Sequence, residues 1–409
     1  MELRDRLRAL KTISSTKKPD VPRKIGPLPS LLSTTNECGQ TYICDKIYIE
    51  YHGQVDLKNF PEISPVSLRF LTLDRSLEEF NLQNTLFFDI ETTGTAGGTG
   101  TYAFLVGFGY VEKGYFQIRQ FFLHDLAEES AFLHAISDFV QKYDCLVTYN
   151  GKCFDTQILK NRYLMHRRDD PLEGKQHVDM LFVARRLWKR KHTECDLINL
   201  ERCVLQFFRE NDIPGHLIPT AYTNYLRYAS TNLIQEVLHH NQLDILSLAV
   251  LTARACMLQE APHEASPEEH FSLGLLYERH KEYRQAIEHL IQALQTDSTK
   301  FKDQALMAIA RNLRRVKDVE RMQWLLSETG EQVSDGDLCR KLCILCEHDM
   351  KDPELAMRLV EGQIKHHEKF RGLSQRYSDA IMPWYHRKKR LERKLFKLNH
   401  REAENLIYE

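Results

Sequence analysis

A mixed α/β sheet flanked by helices, followed by an all-α region, is the fold class that this sequence predicts. Three observations predict it. Short apolar runs of strand length alternate with stretches of helical period between residues 85 and 258. A tight turn, Glu112-Lys113-Gly114, joins two β-rich runs. Beyond a polar, Pro-containing segment at 259–265, the period is helical throughout.

The elements follow in order. From Glu2 to Lys24 the chain holds eight basic and three acidic residues, a net charge of +5. This stretch reads as a frayed basic arm with a short helix at Leu3–Leu10. The run Tyr42-Ile43-Cys44-Asp45-Lys46-Ile47-Tyr48-Ile49 reads as a strand, with a turn at His52-Gly53. Residues 1–84 therefore form a basic arm and a small β-containing extension. Thr85–Ile90 is mostly apolar, as a buried central strand should be. A Gly-rich loop follows (Gly94, Gly97, Gly98, Gly100), then a hairpin of Tyr102–Tyr110 and Tyr115–Leu123. A helix is expected over Ala127–Lys142, a buried strand over Cys145–Tyr149 and a second helix over Cys153–Tyr163. Helical patterns fill most of Met180–Leu258, which closes a domain spanning 85–258.

Residues 259–265 form the linker. Ser266-Pro267-Glu268-Glu269 then reads as a helix start, with Ser at the N-cap, Pro at the first helical position and Glu three residues after the cap. Residues 266–365 show an approximate repeat of about 34 residues. Leu273-Gly274-Leu275-Leu276-Tyr277, with Ala286, Leu290 and Ala293, place Gly, Tyr and Ala at the offsets of a tetratricopeptide unit. A second unit around Met307-Ala308-Ile309-Ala310 and Trp324 is weaker, and a third around Cys343–Ala356 is out of step. Residues 366–409 form a basic helical tail.

Composition excludes several function classes. The 409 residues carry 56 Lys and Arg against 57 Asp and Glu. That balance fits neither a uniformly basic nucleic-acid coat nor an acidic disordered chain, but it permits a local basic groove. No apolar run is long enough for a membrane span, and the first residues lack the apolar centre of a signal peptide. The ten cysteines are scattered, as reduced thiols of a cytoplasmic protein would be.

Chemistry concentrates at Asp89 and Glu91. Residues i and i+2 of a strand share a face. Two carboxylates at the end of an apolar strand repel each other and resist desolvation. A cation relieves both, and hard oxygen ligands suit Mg²⁺ or Mn²⁺.

Phe88-Asp89-Ile90-Glu91-Thr92-Thr93-Gly94 resembles the first motif of the DEDD family of 3′–5′ exonucleases, which share a ribonuclease H-like fold (the DnaQ-like superfamily). The continuation Gly97-Gly98-Thr99-Gly100-Thr101-Tyr102-Ala103-Phe104-Leu105-Val106-Gly107 is similar to the YprB-like branch, in which the nuclease domain carries a tetratricopeptide region. The resemblance covers 86–251 well, the helical region moderately and the first 84 residues poorly. It implies a second motif, which Tyr149-Asn150-Gly151-Lys152-Cys153-Phe154-Asp155 supplies. It implies a third on a late helix, which His239-His240-Asn241-Gln242-Leu243-Asp244 supplies.

By this resemblance Asp89, Glu91, Asp155 and Asp244 hold two Mg²⁺ or Mn²⁺ ions and serve catalysis. His240, four residues before Asp244, shares its helix face and is favoured as the base. His239 remains the alternative if the chain is irregular there, for example if Asn241 caps a new helix. Thr92, Gly94, Tyr149, Asn150 and Lys152 are candidate nucleic-acid contacts. The implied activity is hydrolysis of phosphodiester bonds at a single-stranded 3′ end, DNA favoured over RNA, in repair or processing. An exoribonuclease and a catalytically silent binding scaffold are the alternatives. The helical region implies a protein partner, for which a helicase would supply single strands.

Other residues read as structural. Asp179 reads as a cap for the helix after it. Cys339, Cys343 and Cys346 fall on one helix face and read as core. The run Arg185-Arg186-Leu187-Trp188-Lys189-Arg190-Lys191-His192 fits a solvated helix face and a nucleic-acid groove equally well.

Overall fold

The computed structural model describes residues 28–407 apart from 29, 49, 78–79, 95–97, 99, 296–298, 319, 323, 326–335 and 370–374. The expected N-terminal arm with its short helix, and Gly97 and Thr99 of the Gly-rich loop, lie outside the described residues. Two compact units result: Met1–Glu62, Phe80–Met180 and Leu200–Leu251 in one, and Ile63–Glu79, Leu181–Asn199 and Thr252–Glu409 in the other. This grouping is discontinuous in sequence, unlike the consecutive segments expected.

The first unit is built on a seven-stranded sheet. Its strands are β1 (Leu32–Asn36), β2 (Gly39–Tyr48), β5 (Thr85–Thr92), β6 (Ala103–Glu112), β7 (Tyr115–Phe122), β8 (Cys145–Thr148) and β9 (Gln176–Asp179), in the order β1-β2-β7-β6-β5-β8-β9. The two-residue strands β3 (Tyr51–His52) and β4 (Val55–Asp56) pair apart from it. β5, β8 and β9 run parallel, and β6 and β7 form the expected hairpin. The strand at 39–48 is no separate extension: β2 pairs with β7 from Tyr42 to Tyr48 and widens the main sheet. β5 explains its apolar run by being covered on both faces, with Leu86, Phe87 and Phe88 fully buried.

Three helices pack on this sheet, and the last two carry site residues. In chain order they are α2 (Glu129–Val140), α3 (Asp155–Met165) and α6 (Ile234–Glu260). The first unit also holds α5 (Ile218–Tyr228), whereas α1 (Pro65–Thr72) and all but the first residue of α4 (Met180–Trp188) fall in the second. α6 is one unbroken helix through Asn241, so the helix break considered there does not occur, and it runs on through Glu260 into the expected linker. Its apolar side chains Leu238, Ile245, Leu246 and Leu248 are buried. A Cβ on Gly107 would sit 2.2 Å from Asn241 Oδ1, and one on Gly109 2.5 Å from Ile245 Cγ2. The two glycines of β6 are therefore what lets α6 lie this close to the sheet.

The second unit is helical: α7 (Pro267–Arg279), α8 (Tyr283–Gln292), α9 (Thr299–Val316), α10 (Gly336–Ile344), α11 (Pro353–Glu368) and α12 (Gln375–Ile407). The start expected at Ser266 is a full capping box with Glu269. A Cβ on Gly274 would lie 2.7 Å from Leu290 Cγ, so α7 and α8 close on each other there. Cys339, Cys343 and Cys346 are buried in its core, and all ten cysteines are free thiols. The basic run begins on α4 and continues past its end at Trp188. Leu187 and Trp188 are interior, and Trp188 Nε1 donates to Glu269 Oε1 at 2.9 Å. The aromatic is core, because an indole that can reach a carboxylate partner loses little by burial. Among the described residues no helix is long and apolar enough to cross a membrane.

Candidate active site

Four carboxylates from three distant segments meet in the first unit. Asp89 and Glu91 stand at the end of β5, on one face as the strand period requires. The pairing with β6 slips at Glu91/Thr92, which ends the regular ladder beside them. Asp155 is the first residue of α3, and Asp244 lies within α6. Asp89 and Glu91 are both pushed well above the usual carboxylate range, first by burial and then by neighbouring acids. For Asp89 those neighbours are Asp244, Glu91 and Asp155. Burial, then Asp179 and Asp244, raise the Asp155 carboxyl to about 7. Groups so placed resist being charged together and gain from a cation.

Helix α6 places the remaining side chains. Asn241 Nδ2 donates to Asp89 Oδ2 at 2.7 Å, while Gln120 Nε2 donates to Asn241 Oδ1 at 2.8 Å. Gln242 Nε2 donates to Gln120 Oε1 at 2.7 Å, and Tyr48 Oη donates to Gln242 Oε1 at 2.9 Å. This buried chain locks the helix to the sheet and fixes the orientation of Asp89. His240 is 7% exposed and faces the acids, its Nε2 3.4 Å from Asp244 Oδ2 and 4.0 Å from Glu91 Oε1. His239 is exposed on α6, one residue round the helix.

Three residues that the sequence reading missed complete the site. Arg209 and Asp212 come from the irregular segment 206–214, and Glu201 from the helical turn before it. Arg209 Nη2 donates to Asp244 Oδ1, Nε donates to Glu201 Oε2 at 2.7 Å, and Nη1 donates to Asp212 Oδ2 at 3.0 Å. Burial works against the Arg209 charge, but Glu201 and Asp244 outweigh it and raise its pKa. His240 Nδ1 lies 2.8 and 2.9 Å from the two Asp212 oxygens. A proton on Nδ1 satisfies that contact and leaves the Nε2 lone pair toward Glu91 and Asp244. Asn241 was legible in part, since Asn241 and Asp244 put two polar groups on one side of an apolar helix. Nothing in the spacing of Glu201, Arg209 and Asp212 marks them, because a buried ion pair has no sequence period.

Three of the candidate nucleotide contacts, Thr92, Asn150 and Lys152, make local hydrogen bonds. Thr92 Oγ1 donates to the Gly94 carbonyl at 2.9 Å. Asn150 takes a left-handed conformation, φ 64°, in the turn after Tyr149. Its N–H donates to Asp179 Oδ1 at 2.8 Å, and the Lys152 N–H donates to Asp179 Oδ2 at 3.2 Å. Asp179 thus holds the loop that leads to Asp155, a part beyond the helix-cap role expected of it.

The donor set suits a divalent cation. Ligand atoms of Glu91, His240 and Asp244 lie within 4.8 Å of one another, and burial beside other acids pushes the Asp89 and Glu91 carboxyls up, a cost that a cation would relieve. One Asp244 oxygen is committed to Arg209, which leaves the other for an ion.

Comparison with known proteins places the chain in a family. The family model of the RNase H superfamily matches residues 86–256, a span that contains all four carboxylates. A Bacillus subtilis (strain 168) protein, the uncharacterized YprB, is 31% identical over 301 residues, covering 71% of each chain.

Proposed function

The chain belongs to the family of YprB and carries an RNase H superfamily domain, and from that premise we propose that it is a metal-dependent 3′–5′ exonuclease of the DEDD type. The observation that supports this reading is the convergence of Asp89, Glu91, Asp155 and Asp244 on one half-buried spot beside an oriented histidine. Its substrate is a single-stranded 3′ end, DNA before RNA, and its product a nucleoside 5′-monophosphate. Polarity and the DNA preference rest on the motif resemblance.

Each residue has a task in this reading. Asp89, Glu91, Asp155 and Asp244 hold two Mg²⁺ or Mn²⁺ ions. Bound there, such ions stabilise charge on the phosphate and lower the pKa of a coordinated water. His240 accepts the proton of the attacking water at Nε2. Asp212 holds the ring in the tautomer that leaves Nε2 free, and Arg209 fixes Asp244 for metal binding. Thr92, Gly94, Tyr149, Asn150 and Lys152 line the terminal nucleotide. The helices over 266–365 act as a tetratricopeptide-like docking region for a protein partner such as a helicase.

Digestion of 5′-labelled single-stranded DNA and RNA with Mn²⁺, by wild type and Asp89→Ala, tests the reading. Ladders shortening from the 3′ end, absent in Asp89→Ala, support it. Faster loss of RNA would transfer the preference to an exoribonuclease. No metal-dependent products from wild type on either strand would leave a binding scaffold.

A further inference from the structure

The helical unit holds a cleft that the nuclease reading does not use. Its volume is about 420 Å³, and its walls are Arg311, Arg314 and Arg315 of α9 with Lys341 and Ile344 of α10. Positions 311, 314 and 315 are spaced i, i+3 and i+4, so the three guanidinium groups share one helix face. Ala310 and Ile344 are its apolar lining, and Asp349 is the one acid among the lining residues. α9 is basic beyond the cleft: Lys300, Lys302 and the three arginines stand against Asp303 alone.

The cations divide into two kinds. Arg311 is paired with Glu278 through both carboxylate oxygens, and Arg314 donates to Asp349 at 3.1 Å. These pairs fix the two side chains. Among the described residues Arg315 and Lys341 have no carboxylate partner; Lys341 Nζ lies 3.6 Å from Met307 Sδ. Two cations without a carboxylate partner beside two paired ones, with apolar lining from Ala310 and Ile344, suit a ligand with repeated anionic groups and an apolar body between them.

From this cleft we infer that the helical unit binds the sugar–phosphate backbone of a single-stranded nucleic acid, at a site separate from the acidic one. The choice of a polynucleotide over an acidic peptide rests on the nuclease reading of the same chain. The cleft is large enough to seat a phosphate with its sugar, and binding there releases counterions from the strand.

The test is strand binding by the full chain in EDTA, where no cleavage occurs, read by fluorescence anisotropy of a labelled 20-nucleotide oligo-dT. Arg315→Glu with Lys341→Glu reverses the two unpartnered charges and breaks neither ion pair. Arg284→Glu with Lys365→Glu, both exposed and outside the cleft, is the charge-matched control. Thermal melts establish that both variants fold. The cleft variant should bind about tenfold more weakly, and its slope of log K against log salt should fall by about 1 to 2. The control should stay within about twofold of wild type. Equal affinity of cleft variant and control overturns the inference. So does a poly-glutamate peptide that binds wild type, loses binding in the cleft variant and does not compete with the strand. Cleavage by wild type with Mn²⁺ is read separately. A protein that binds the strand through the cleft yet cuts nothing retains the cleft and loses the nuclease reading.

Discussion

Burial and the charges of Asp179 and Asp244 hold the Asp155 carboxyl near 7, well above its ordinary range. A carboxyl raised in the folded state favours folding while protonated and loses that contribution as pH rises through its folded value. For Asp155 the window runs from about 4 to about 7. Without metal, wild type should therefore lose stability relative to Asp155→Asn between pH 5 and pH 8. Thermal melts in EDTA should show Asp155→Asn ahead by several degrees at pH 8 and nearly level at pH 5, and Mn²⁺ should restore the wild type alone. A wild-type advantage in EDTA at pH 8 would count against an unbalanced acid cluster. His240 and His239 separate by exposure in the same way. His240→Gln should lower kcat about 100- to 10,000-fold, as loss of a general base does, while His239→Gln stays near wild type. Asp212→Asn keeps the shape but offers Nδ1 a changed partner. It should cost about 10- to 100-fold in kcat with little change in KM. A mainly raised KM would make Asp212 a binding residue instead.

Helix α6 and strand β6 form the element pair on which the geometry depends. Gly107 leaves the space that Asn241 fills, and Asn241 in turn orients Asp89. Gly107→Ala should destabilise the protein by about 1–3 kcal/mol, the ordinary range for overpacking. It should also cut activity more than stability explains, because Asp244 and His240 ride on the displaced helix. A variant that melts lower but cleaves at the wild-type rate would show that the close approach is structural only. At this scale the sequence was readable where a period exists. β5, the β6–β7 hairpin and the capping box at Ser266 follow from spacing and turn chemistry. The segment 206–214 does not, since it has neither period. Its charged residues look like any solvated loop until the fold buries Arg209 among Glu201, Asp212 and Asp244.

Across the whole molecule, Asp89 and Glu91 are legible from the strand they end, and Asp155 and Asp244 from the motifs the chain resembles, whereas the grouping of segments is not legible. Residues 63–79 and 181–199 belong with the C-terminal helices, although they interrupt the sheet domain in sequence. Amphipathic helices declare an apolar face but not which core will cover it. Trp188 shows the consequence: a basic run around it suggests exposure, yet the ring is fully buried and bonded to Glu269. A fragment of residues 1–258 contains Trp188 as its only tryptophan. Its emission should shift to the red of the full chain's, and the fragment should aggregate more readily. Blue emission from a soluble fragment would mean that residues 181–199 find another cover.

The central claim is that acids distant in sequence together cage divalent ions, and counting bound Mn²⁺ by electron paramagnetic resonance tests it most directly. Wild type should take up two Mn²⁺ per chain, and Asp89→Asn should take up fewer while still melting cooperatively as a folded protein. A full complement in Asp89→Asn, or none in wild type at millimolar Mn²⁺, would contradict the account.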